Sequence, residues 1–191
     1  MIIEYLGDGV NDYDSFVTQW LSTLPVCPYC EHGCHRHGCY LRGVRDVDGL
    51  VMLSIQRVWC QVCAITHAIL PSFLSPYGRY PVSAREAVVT EQGEGVAVEE
   101  AGTLAGQTVE TSKRWLSAFR RVISSVLGAL RGALAQRGSY QVAGNMAPLQ
   151  ELASLCTLWF EAHQAGVAIS SGTMFAWANY ILSQEAARLW L

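Results

Sequence analysis

The sequence predicts an α+β fold in which a small β module comes first and helices make up the rest. Three observations carry that expectation. Two C-x-x-C pairs, Cys27 with Cys30 and Cys60 with Cys63, bracket a stretch that alternates as strands do, with Asp48-Gly49 between them as a hairpin signal. Pro71, Pro76 and Pro81 then punctuate a rigid, aromatic-rich connector. Beyond Pro81 apolar residues recur every three or four positions, which is the helical period.

Taken in order, residues 1–24 hold a leading helix. Phe16, Val17, Trp20 and Leu21 share helical spacing over 11–22, and Asp12 or Asp14 can cap its start. Residues 25–80 form the β module and its connector. Tyr40, Leu41 and Val44 lead into the turn; after it Val51, Leu53 and Ile55 share one face while Met52, Ser54 and Gln56 share the other. A third short strand fits residues 65–70. Residues 81–137 read as helices over 83–92, 96–105 and 109–137, separated by Gly93, Gly95 and Gly106-Gln107. In the third of these, Leu116, Phe119, Val122, Ile123, Val126, Leu127 and Leu130 line one face and the bases occupy the other. After a polar break, residues 138–191 hold two more helices, 148–165 and 173–190. They either complete the core or offer a dimer surface.

Composition excludes several classes. A chain of 191 residues that is 51% hydrophobic and 15% charged can bury a core and is not a disordered polymer. The formal net charge of −3 excludes a uniformly basic protein, but the charge is uneven. Residues 81–110 carry Arg85 against six glutamates. Residues 111–137 carry Lys113, Arg114, Arg120, Arg121, Arg131 and Arg137 with no acid at all, the local footprint expected of a polyanion binder. The start, MIIEYLGDGV, lacks the basic segment of a secretory signal. The longest uncharged run, 162–184, is interrupted by His163, Asn179, hydroxyls and glycines, so no membrane span is expected. A cytoplasmic location follows as the expectation, with the cysteines reduced.

In that setting, two C-x-x-C pairs point to one metal ion. Two residues between cysteines let a tight turn present both sulfurs, and two such turns make the tetrahedral S₄ set that suits Zn²⁺. The ligands expected are Cys27, Cys30, Cys60 and Cys63, with a 29-residue hairpin carrying the chain from one knuckle to the other, as in a zinc ribbon. His32, Cys34, His35, His37 and Cys39 follow the first knuckle, and whether Cys34, His35, His37 or Cys39 takes part is open. Cys34 or His35 can replace a knuckle cysteine, or a second ion can bind with His67. The preferred reading is one structural zinc, those residues lining the first strand, and residues 27–70 unfolded without metal.

The stretch VAVEEAGTLAGQTVETSKRWLSAFRR reads as a helix-turn-helix. Ala101 is small where the helices cross, Gly106 permits the turn, Thr108 caps the second helix and Glu110 sits in its first turn. That second helix would present Thr111, Ser112, Lys113 and Arg114 to a major groove, with Arg120 and Arg121 further along, while Trp115, Leu116 and Phe119 pack inward. Gly102 inside the first helix and Gln107 at an apolar position depart from the pattern.

The order CPYC, RHGCYLRGV, SIQRVWCQVC, ITHAILPSFLSPYGRYP and TVETSKRWLSAF, over roughly residues 25–125, resembles a bacterial transposase-like zinc-ribbon family. That family pairs the ribbon with a helix-turn-helix, as do the N-terminal parts of several insertion-sequence transposases. The resemblance implies zinc at the four knuckle cysteines and DNA contact by the helix holding Lys113 and Arg114. A transposase also needs three carboxylates on two metal ions. After residue 121 only Glu151, Glu161 and Glu185 remain, all in expected helices. No catalytic residue and no small-molecule substrate are therefore expected. Cys156 and His163 read as packing. The favoured function is a zinc-dependent, non-catalytic DNA-binding protein derived from a transposase, acting on double-stranded DNA as an accessory or regulatory factor. A homodimer through the C-terminal helices would suit it. The alternatives are a protein-interaction module built on the ribbon and, last, a truncated transposase or recombinase.

Overall fold

The computed structural model describes residues 2–5, 13, 15–17, 24–46, 49–76, 78–136, 138, 146–162, 173–184 and 191. The architecture is α+β. Strands β1 (Ile2–Tyr5), β2 (His35–Asp46), β3 (Gly49–Cys60) and β4 (Ile65–Pro71) precede helices α1 (Val82–Gly93), α2 (Val98–Leu104), α3 (Val109–Ala135), α4 (Pro148–Ala162) and α5 (Met174–Gln184). The strands form one sheet in the order β1-β4-β3-β2. β2, β3 and β4 are antiparallel neighbours, and β1 adds in parallel to β4. β1 was not expected from the sequence, because four residues are too short a run to display a period.

β2 and β3 pair along nearly their whole length, whereas β4 meets β3 only from Arg57 to Cys60. The hairpin therefore continues past β4 as a two-stranded arm. β3 uses a different face at each end. Leu53 and Ile55 are buried with Val44, Leu70, Phe73 and Leu74, while Val58 and Cys60, in the opposite phase of the pleat, are buried with Ile69 and Cys27. Between these ends β2 holds an extra residue relative to β3, with Gly38 at a φ of +79°. Of the leading helix, Tyr13, Ser15, Phe16 and Val17 are helical; Trp20, Leu21 and the rest of 11–22 lie outside the described residues. Tyr13 and Val17 close the first face, and the Tyr13 hydroxyl donates to the Ile69 carbonyl at 2.8 Å.

The helices enclose the larger core. Trp115, Leu116, Ile123, Val126, Leu127 and Leu130 of α3 pack with Leu152, Leu155, Trp159 and Phe160 of α4 and with Phe175, Ile181 and Leu182 of α5. The apolar faces of the two last helices thus complete the core. Phe119 is only half-buried but stacks on Phe175 at 5.6 Å. Cys156 is buried within this core, which pushes its thiol up to about 12, as a packing residue would show. Glu86 of α1 accepts the backbone N–H groups of Met174 and Phe175 at 3.2 and 2.7 Å. One of the six glutamates before the basic stretch therefore caps α5. Arg137, His163 and Glu185 lie outside the described residues.

The connector fixes the arm against the helices. Arg42 of β2 donates to the carbonyls of Ser75 (2.6 Å) and Gly78, and Arg85 of α1 donates to the Ser75 hydroxyl at 3.1 Å. Arg85 also lies over the Trp115 ring, 5.7 Å from its centroid. Both guanidinium groups are held below their ordinary pKa, chiefly by burial. Among the described residues no helix is long and apolar enough to cross a membrane.

Candidate metal centre and basic helix

The sulfurs of Cys27, Cys30, Cys60 and Cys63 all lie within 4.8 Å of one another. Sγ of Cys30 is 3.4 Å from that of Cys60, and Sγ of Cys27 is 3.9 Å from that of Cys63. Zn–S bonds of about 2.3 Å in a tetrahedron put neighbouring sulfurs roughly 3.8 Å apart, so the donor set fits such an ion. All seven cysteines are free thiols. Cys27 and Cys60 are buried, Cys30 and Cys63 half-buried.

The two knuckles share one backbone device. The residue after each second cysteine, Glu31 at a φ of 60° and Ala64 at 54°, takes the left-handed conformation. For a residue with a Cβ this costs roughly 1–2 kcal/mol. The strain turns the chain so that backbone groups close on the sulfurs: the Cys63 N–H points to Cys60 Sγ at 3.4 Å. In the first knuckle Glu31 N donates to Cys27 O at 2.8 Å and Cys27 N donates to His32 O at 2.7 Å. The Cys63 N–H is the main reason that Cys60 is pulled down to about 7. Hydrogen bonding with Cys30, followed by burial, pushes Cys63 up to about 12. Four thiolates at this range repel one another strongly, and a divalent cation is what lets all four ionise together.

The second histidine and cysteine cluster does not converge. His32, His35, His37 and Cys39 are exposed; the His32 ring bonds the Cys30 carbonyl at 2.8 Å and His37 lies beside Trp59. Cys34 is buried next to the centre but is not one of the four. Burial first, then the negative charge of Cys27, Cys60 and Cys30, pushes it up to about 11, which keeps it a neutral thiol. His67 has a different place. It is buried, with Nε2 3.4 Å from Cys27 Sγ and its ring 5.5 Å from that of Tyr29. It stands behind one sulfur, as outer partners of metal ligands do. In the sequence His67 offers itself only as a ligand, since nothing local shows that strand β4 carries it to Cys27.

α2, a short turn and α3 follow one another as the sequence suggested. Gly106 turns at a φ of +65°, and Thr108 Oγ1 accepts the Thr111 N–H at 3.3 Å as the cap of α3. Lys113, Arg114, Arg120 and Arg121 are exposed on one stripe of α3, and Thr111 is half-buried with its hydroxyl paired to that of Thr108. Lys113 pairs with Glu99 at 3.4 Å, an exposed contact worth at most about 1 kcal/mol and easily exchanged for another anion. Arg120 donates to Gln92 at 3.1 Å.

Ser112 departs from its expected place on the exposed face. It is fully buried, donates to the Thr108 carbonyl at 3.1 Å and faces α2, so it cannot present its hydroxyl to a groove. The residue it faces is Gly102. A Cβ at Gly102 would lie 2.6 Å from Ser112 Oγ, so this glycine is what lets α2 and α3 cross closely, alongside buried Ala101. Further along, Arg131 pairs with Glu151.

Residues 27–115 match the model of a domain of unknown function, DUF6431. The matched stretch begins at the first knuckle cysteine and ends inside α3. No curated protein and no solved structure matches the chain.

Proposed function

We propose that this chain is a zinc-dependent DNA-binding protein, non-catalytic and derived from a transposase, acting on double-stranded DNA as an accessory or regulatory factor. In this reading Cys27, Cys30, Cys60 and Cys63 hold one structural Zn²⁺ in a zinc ribbon. α2 and α3 serve as a helix-turn-helix. Lys113 and Arg114 enter or flank the groove, Thr111 assists from the cap, and Arg120 and Arg121 follow the phosphates. The observation that carries it is the presence in one chain of a four-sulfur cluster and a capped helix with an exposed basic stripe. Of the remaining acids, Glu151 is mostly covered and paired to Arg131, which gives it a structural partner. A homodimer through the C-terminal helices, and a cytoplasmic location, belong to the same proposal; doubling would set a half-site spacing.

A protein-interaction role is the second reading, favoured by Leu41, Leu50 and Met52, which are exposed on the arm. Binding of random duplex to zinc-loaded protein, followed across a salt series, separates the two. DNA binding predicts affinity that falls steeply with salt. Lys113→Ala with Arg114→Ala should weaken binding to every duplex and flatten the slope by about 1.8, at about 0.9 for each phosphate no longer neutralised. Salt-independent affinity would favour the protein-interaction role.

A further inference from the structure

A cleft of about 1080 Å³ separates the outer face of the β2–β3 arm from the helices. Gly43, Arg45 and Met52 form its arm wall, Arg79 lies in its floor, and Ser83 of α1 and Gln107 of the α2–α3 turn stand opposite. We propose that this cleft holds the sugar-phosphate backbone of one DNA strand, so that the arm is a second DNA contact beside α3. The inference rests on the DNA-binding reading and extends it to residues outside the helices.

Charge is the first argument. Among the described residues two arginines and no acid line the cleft, in a chain whose net charge is −3. Arg45 and Arg79 are both exposed, and among the described residues neither is in an ion pair. Position is the second. Gln107 immediately precedes Thr108, the cap of α3, so the positive end of a 27-residue helix opens at the rim. Shape is the third. The volume exceeds the roughly 300–1,000 Å³ typical of small-molecule sites. Exposed Leu50 and Met52 on the arm wall offer apolar contact to deoxyribose carbons between the guanidinium groups.

The arm is not free to swing. The Arg45 N–H donates to the Arg79 carbonyl at 2.7 Å, and Arg42 ties the same strand to Ser75 and Gly78 of the connector. The two arginines are thus presented from backbone that is fixed relative to the turn, which lowers the ordering cost of clamping a strand.

The test uses the full chain loaded with zinc and a random 20-base-pair duplex. Fluorescence anisotropy is followed over a salt series for the wild type, Arg45→Ala/Arg79→Ala and Arg45→Lys/Arg79→Lys. The double alanine variant should flatten the salt slope by about 1.8, and the lysine pair should retain it. A benzophenone side chain introduced at position 52 should photo-crosslink to the duplex. The idea is overturned if the alanine pair leaves the slope unchanged, or no adduct forms, while Lys113→Ala/Arg114→Ala still flattens it. In that case α3 binds DNA and the cleft does not. If the wild type itself shows no salt-dependent binding, the DNA reading fails and the cleft proposal falls with it. An adduct only to another protein also overturns it and makes the arm a protein-docking surface.

Discussion

Among the described residues, the buried cluster around the knuckles consists of Cys27, Cys34, Val58, Cys60 and Ile69, three of the five being cysteines. The corresponding cluster of the helical part holds, among the described residues, 22 buried residues, Trp115, Trp159, Phe160 and Phe175 among them. The helices are held by apolar burial, which needs no ligand. The knuckle end has little apolar surface of that kind, and under the structural-zinc proposal it depends on an ion held by its sulfurs. The far end of the arm is intermediate, resting on Tyr13, Val44, Leu53, Ile55 and their neighbours. In the proposed reading one chain therefore combines a platform that depends on metal with a bundle that does not, and perturbations should fall on one and spare the other.

Metal removal should break this contrast most visibly. Structural zinc in small modules is worth on the order of 10 kcal/mol or more. Chelation should abolish hydrogen-exchange protection around residues 26–36 and 57–68 while α3, α4 and α5 keep theirs. Uniform loss, or none, would erase the distinction. The pH dependence has a definite sign. Thiolates are the ligands, so binding releases protons and the metal-derived stability is present at high pH and lost as pH falls. Cys60, lowered to about 7, ionises within this range. Between pH 8 and pH 6 the apparent affinity should fall, as competition with a chromophoric chelator would report.

A smaller effect is expected at His67. Replacing an outer partner of a metal ligand typically lowers metal affinity about 10- to 100-fold. His67→Ala should do so and shift the sulfur-to-metal absorption of the cobalt-substituted protein; His67→Gln, which keeps an N–H, should recover part of both. On the helical side, Gly102→Ala should destabilise the bundle by about 1–3 kcal/mol through overpacking, without altering metal content. Adding Ser112→Ala should relieve it, because the close approach at 2.6 Å is to the Ser112 hydroxyl. The smallest expected change is a gain. Ala64→Gly removes a Cβ from a left-handed residue and should stabilise the metal-loaded platform by about 1 kcal/mol in denaturant titrations.

Legibility in the sequence followed the range of the interactions. The four cysteines were readable because two residues of spacing encode a knuckle locally, and the hairpin because strand alternation and Asp48-Gly49 flank one turn. Thr108 and Gly106 were readable for the same reason: capping and a left-handed turn depend on neighbours only. What escaped depended on distant partners. β1 owes its existence to pairing with Ile69, Leu70 and Pro71 across the chain. Gly102 reads as a helix weakness until Ser112 is seen opposite it, and Ser112 reads as an exposed hydroxyl until α2 covers it. His67 belongs to the centre through proximity to Cys27, 40 positions away. The arm's outer wall was visible as one face of an alternating strand, but not as half of a cleft.

The most direct measurement is zinc K-edge absorption on purified full-length protein together with metal stoichiometry. One equivalent of zinc with four sulfur scatterers at about 2.3 Å is the expected result. A first shell containing nitrogen or oxygen, or protein that stays folded at the knuckles with no metal at all, would contradict it.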